Sequence, residues 1–274
     1  MSVSGKNARV AGEKVAGSDG FEWFARAGFV ARGLLYGIIG ILAIKLALGG
    51  GGGDSASQKG ALEAIAHQPF GKFLLILVAV GLAGYSLWRL IRAALGHGPE
   101  ASDSGMQRVA AAGSGIVYAG FCALAVEILV GAGSGSSTKP KAGAAGVFAW
   151  PGGVWLVGIV GAFFIVIGLY QGYRGVSHDF LKDSKTEEMS NGVRAWVKWI
   201  GTFGYLSRMV VFVLVGVFLI KAAIDYDPNK AVGLDGALAK VRDSAYGPYT
   251  LGVVATGLIA FGLYSLSDAR YRRL

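Results

Sequence analysis

Hydrophobic and polar positions along this chain are segregated into long blocks. Six stretches, Gly28–Leu48, Phe70–Arg89, Arg108–Val130, Gly152–Arg174, Trp199–Ala223 and Pro248–Asp268, are apolar almost throughout. Each approaches or exceeds the roughly 20 residues of helix that cross a hydrocarbon core. The pattern predicts an all-α, polytopic membrane protein with six transmembrane helices. The first twenty residues carry charges but no apolar core, so a disordered tail is expected there instead of a cleaved signal. Two connecting segments are shorter and amphipathic. GALEAIAHQPFG (60–71) and GALAKVRDSAYG (236–247) predict short helices at the outer interface, with Leu62 and Ile65, or Leu238 and Val241, turned toward lipid or protein.

The same two segments align without a gap, and the likeness extends into the spans. WFARAGFVAR (23–32) and WIGTFGYLSR (199–208) share W-x4-G-[FY]-x2-R, which superposes Arg32 on Arg208; the middle copy has Ser114 instead. Four residues on, Tyr36, Tyr118 and Phe212 align. The even-numbered spans end in YSLWR, YQGYR and YSLSD, superposing Tyr85, Tyr170 and Tyr264, then Arg89, Arg174 and Asp268. Three two-helix repeats are therefore expected at 21–97, 105–182 and 193–274, after the tail at 1–20. An even number of crossings gives them one orientation and suggests a pseudo-threefold ring about the membrane normal, although a row would also satisfy the sequence.

Over nearly its whole length the chain resembles the membrane family known as domain of unknown function 1206. The residues that carry the resemblance are the ARGLLYGIIGILAIK type of span, the GALEAIAHQPFG loop leading to LAGYSLWR, and the basic tail ARYRRL. The resemblance implies three consecutive two-helix units in one polytopic protein. It implies no activity and carries over no catalytic residue.

Composition agrees with the pattern and adds an orientation. The 274 residues are 53% hydrophobic and 16% charged, with 45 glycines and a net charge of +9. Small residues such as Gly33 and Gly37 predict close helix packing. Seventeen of the 26 lysines and arginines fall on the side of the termini, which predicts cytoplasmic termini in a plasma membrane of bacterial type. The basic inner face predicts anionic membrane lipids as partners, with another membrane protein as a further candidate. Topology accounts for the charge, and nucleic-acid binding is not expected. Tryptophans at 23, 88, 150, 155, 196 and 199 are placed at headgroup level.

Two levels of charge are the candidate sites. Nine residues beyond the aligned aromatics stand Lys45, Glu127 and Lys221, one per repeat, near the outer ends of the odd spans. Glutamate reaches headgroups less readily than lysine, so a structural ion pair or triad is expected, with independent snorkelling and a working ion site as the other readings. At the inner ends Arg32, Arg89, Arg174, Arg208 and Asp268 are read mainly as topological anchors, with lipid phosphate contact as the sharper reading. The inner loop SHDFLKDSKTEEMSNGVRAWVKW is expected to carry a short surface helix that docks a partner.

Catalytic signals are weak. His67, His97 and His178 are scattered, and the single Cys122 lies inside a span, so neither a metal nor another cofactor is expected. GAGSGSS (131–137) has no Gly-Lys-Ser/Thr ending, which excludes a phosphate loop. The sequence thus favours a non-catalytic bundle, serving as accessory, scaffold or lipid-binding component, over a conduit along the repeat axis and over an enzyme.

Overall fold

Apolar blocks bounded by glycine, proline and polar clusters leave the chain few alternatives to single long helices, because lipid offers no partner to unpaired backbone groups. The computed structural model describes residues 19–49, 55–95, 105–131 and 146–273. The segment read as a tail (1–18) and most of the two glycine-rich connections lie outside them. Eight α-helices are found among the described residues: α1 Asp19–Ala47, α2 Gln58–Ala66, α3 Gly71–Leu95, α4 Gly105–Leu129, α5 Gly153–Ser177, α6 Asn191–Ile224, α7 Leu234–Arg242 and α8 Gly247–Tyr271. All but α2 and α7 are long and apolar enough to span a membrane. The chain is an integral membrane protein of six spans.

The start of α1 and the end of α8 lie together at one end of the bundle, where the Arg26 guanidinium donates to the carbonyls of Ala269 and Arg270 (2.5 and 2.8 Å). This is called the terminal end below, and the opposite one the distal end.

The spans neighbour one another in the order α5, α6, α8, α1, α3, α4. Three of these interfaces, α5 with α6, α8 with α1, and α3 with α4, join different repeats. The other two, α6 with α8 and α1 with α3, lie within a repeat. A threefold ring would require one more contact, between α4 and α5 of the middle repeat, and these two helices do not pack extensively. The ring is open at that place, so the bundle is an arc. Burial follows: 17% and 22% of the apolar stretches of α4 and α5 are buried, against 61% for α1 and 56% for α8.

Small residues sit where helices of different repeats come closest. A Cβ on Gly262 would stand 2.8 Å from the Gly33 carbonyl oxygen, and one on Gly216 only 2.5 Å from that of Gly161. Any larger residue at either place would force the backbones apart.

The distal end is covered by α2 and α7. Ser57 caps α2 by accepting from the Gly60 amide (3.2 Å). Leu62 and Leu238 are wholly buried, and Ile65 nearly so. The apolar faces of both helices therefore turn toward protein: α2 rests on α1, α3 and α4, and α7 on α6, α8 and α1.

Candidate functional site: an arginine network at the terminal end

Rings from all six spans line the inside of the arc. Tyr118 of α4 meets Tyr85 of α3 edge-on (centroids 4.5 Å apart), and Tyr85 meets Phe29 of α1 (5.3 Å). Tyr36 meets Phe261 of α8 (4.8 Å), and Phe164 of α5 stacks on Phe212 of α6 (5.7 Å). Two guanidiniums bind these groups together. Arg32 lies 4.9 to 5.3 Å from the ring centres of Phe29, Tyr85 and Phe261. Arg208 lies 5.0, 5.2 and 4.2 Å from those of Tyr36, Phe212 and Phe261. Cations over ring faces are held electrostatically, and more strongly where water is excluded.

Arg32 is buried, and each of its three side-chain nitrogens donates a hydrogen bond. Its Nη2 pairs with the Asp268 carboxylate at 2.9 Å, its Nη1 donates to the Tyr85 hydroxyl at 2.7 Å, and its Nε donates to Ser265 Oγ at 3.0 Å. Asp268 is 2% exposed and also receives Arg272 at 3.4 Å. The chain then continues into the loop between α5 and α6, where Asp183 accepts from Arg272 (2.9 Å) and Arg174 (2.6 Å). Burial alone would raise the Asp183 acid, but the guanidiniums of Arg272 and Arg174 hold it at about 2. Arg89 donates to the Tyr85 hydroxyl (3.2 Å).

The loop is fixed by more than charge. Phe180 is wholly buried, stacked on Tyr205 and edge-on to Tyr264, over Gly201, where a Cβ would come within 2.5 Å of its ring. The chain terminus lies antiparallel against the loop, with the Lys185 amide donating to the Tyr271 carbonyl (2.7 Å) and the Arg273 amide to that of Asp183 (3.0 Å). The expected surface helix is thus two single 3-10 turns, Asp179–Leu181 and Thr186–Glu188, and it docks on its own bundle.

Several expectations need correction. Arg32 and Asp268 are members of a buried network rather than anchors. Arg174 and Arg89 reach inward to Asp183 and Tyr85. Trp88 is turned into the protein and not toward lipid: it is 6% exposed and packs on Phe29 beneath the guanidinium of Arg92. Lys45, Glu127 and Lys221 do stand at equivalent positions, two or three residues from the ends of α1, α4 and α6. Among the described residues no ion pair is formed between either lysine and Glu127, however; both lysines are exposed and Glu127 is half-buried. Each lysine sits in the last turn of its helix, where the end carbonyls and the water interface already favour a cation. Asp183, Arg92 and Arg272 were not singled out in advance. The signal was present in the acidic residues of the inner loop and the arginines of ARYRRL, but joining them requires knowing that the two segments meet.

Among the described residues no group of three or more His, Cys, Asp or Glu side chains could hold a metal. The network holds buried charges in place.

Three comparisons bear on identity. No solved structure matches the chain. It is 34% identical over 255 residues to the uncharacterised protein YxxB of Bacillus subtilis (strain 168), a match covering 92% of this chain and 91% of that one. The family described as Domain of Unknown Function (DUF1206) matches three consecutive regions, 27–106, 109–178 and 203–272. With its three two-helix units matched one after another, the chain belongs to the DUF1206 family.

Proposed function

We propose that this protein is a non-catalytic helical bundle of a bacterial plasma membrane, an accessory or scaffold that binds lipid and is not an enzyme. The observation that carries the reading is the ring packing between spans: aromatic side chains from every span meet one another or the guanidiniums of Arg32 and Arg208, where a conduit would need open space. The Phe180 loop covers the terminal end, and α2 and α7 cover part of the distal end. Both termini face the cytoplasm in this reading, so the basic residues meet anionic headgroups and helix contacts such as Gly33 with Gly262 hold the repeats together. Nucleic acid is not a partner, and a second membrane protein is a candidate one. Conduction along the repeat axis is the weaker reading, since the buried charges at the terminal end are held by one another and by ring faces. Flux measurement decides between them: purified protein in liposomes should pass protons, potassium and chloride no faster than protein-free liposomes. A protein-dependent flux would overturn the reading.

A further inference from the structure

Arg32 and Arg208 occupy the same place in two repeats, yet only one of them has its anion. In the interface of α8 with α1, Arg32 finds Asp268. The corresponding interface is α5 with α6, and there the residue aligned with Asp268 is Arg174, a second cation. Like charges cannot pair, and Arg174 turns to Asp183 instead. Arg208 also lacks the equivalents of the other two partners of Arg32. Tyr264, aligned with Tyr85, has a wholly buried hydroxyl with no hydrogen bond, and Gln171, aligned with Ser265, makes none to Arg208. Among the described residues Arg208 makes no ion pair, and its Nε is sealed from solvent without an acceptor. Ring faces stabilise a guanidinium in part, but they do not satisfy its N–H donors.

Arg208 also lies next to the α5 side of the open seam. One of its rings, Phe212, stacks on Phe164 of α5, the helix on one side of the gap. The helices α4 and α5 flank the gap, and their exposed side chains are hydrocarbon-like: Ile116 and Val117 on α4, Phe163 and Val166 on α5. Arg208 itself is half-buried, so part of it is reachable. It stands nine residues beyond Trp199, about 13 Å along a helix rising 1.5 Å per residue. A small hydrated anion would have to shed its water to reach that depth, whereas an anion attached to an acyl chain could pass between α4 and α5 from the bilayer.

We infer that Arg208 is the head-group seat of a binding site for an anionic amphiphile, a carboxylate or phosphate bearing an acyl chain, admitted through the gap between α4 and α5. The inference rests on the lipid-binding reading and gives it a residue, a ligand class and a route. The head group supplies the negative charge that Asp268 supplies to Arg32.

Native mass spectrometry of the purified full chain in neutral detergent tests it, with a long-chain fatty acid, phosphatidylglycerol, the methyl ester of the same fatty acid, and inorganic phosphate as separate probes. The acid or the phospholipid should bind in one saturable copy, and the ester about tenfold more weakly or worse, a comparison that needs no variant. Binding of the fatty acid alone identifies a free acid as the ligand, and binding of phosphatidylglycerol alone identifies a phospholipid. Arg208→Gln should lower affinity about tenfold while the surface control Lys198→Gln leaves it unchanged. Equal binding of acid and ester, retention of full affinity in Arg208→Gln, or saturable binding of inorganic phosphate with no binding of either amphiphile would overturn the proposal. Flux in liposomes would refute the non-conducting reading without altering the ratio of acid to ester.

Discussion

Arg32 and Asp268 are both withdrawn from water, and their pairing is completed by Tyr85 and Ser265 rather than by solvent. Removing one member of such a pair leaves an uncompensated buried charge, which costs about 3–5 kcal/mol, whereas removing both costs much less. Asp268→Asn should therefore lower the chemical unfolding midpoint strongly in detergent, and the Arg32→Gln/Asp268→Asn double variant should recover most of the loss. Asp183 gives a pH dependence with a definite sign. Its folded acid, at about 2, lies below the ordinary 3.8, so its contribution is fully present above the ordinary value and is lost as pH falls through the folded one. The protection of the amides of residues 178–190, taken relative to their intrinsic exchange at each pH, should be constant across neutral pH and fall below about pH 3. Equal protection at the two extremes would contradict the role given to Asp183. At this scale the sequence told only part of the story. It marked Arg32, Arg208 and Asp268 by repeat alignment, because alignment shows which positions are equivalent. It misread Lys45, Glu127 and Lys221, because equal height along three helices does not determine whether side chains near the helix ends reach one another or water.

Helices were the most legible feature, since a block of apolar residues long enough to cross lipid has one way to satisfy its backbone. The amphipathic segments were legible as helices but not in their orientation: the face carrying Leu62 or Leu238 could have met lipid as easily as protein. Both leucines are wholly buried at the distal end, so truncation leaves a cavity and not merely a thinner surface. Leu238→Ala should destabilise the fold by about 2–5 kcal/mol in equilibrium unfolding, while the exposed Trp155→Ala should change it little. Comparable effects at both positions would place α7 on the membrane surface instead. The inner loop was recognised as a docking element, but its dock was not, because the meeting of Asp183 with Arg272 spans nearly ninety residues of chain.

As a whole the molecule is bound together more across repeat boundaries than its hairpin plan suggests. The repeats and their common orientation could be read from the chain, but neighbour choice among six apolar rods depends on surfaces brought together only in the fold. Hence the arc that opens between α4 and α5 was not foreseen, even though the worn middle repeat, with Ser114 in place of arginine, pointed to that copy. The central claim is that α5 of the second repeat packs on α6 of the third. A Cβ built on Gly158 would lie 3.7 Å from the Cβ of Ala223, close to the separation of about 3.8 Å typical of a disulfide. The most direct measurement is therefore oxidation of a Gly158→Cys/Ala223→Cys variant, in a Cys122→Ala background, within native membranes. Rapid, near-complete disulfide formation inside single chains is the predicted result; thiols that stay free, or that link only between molecules, would contradict it.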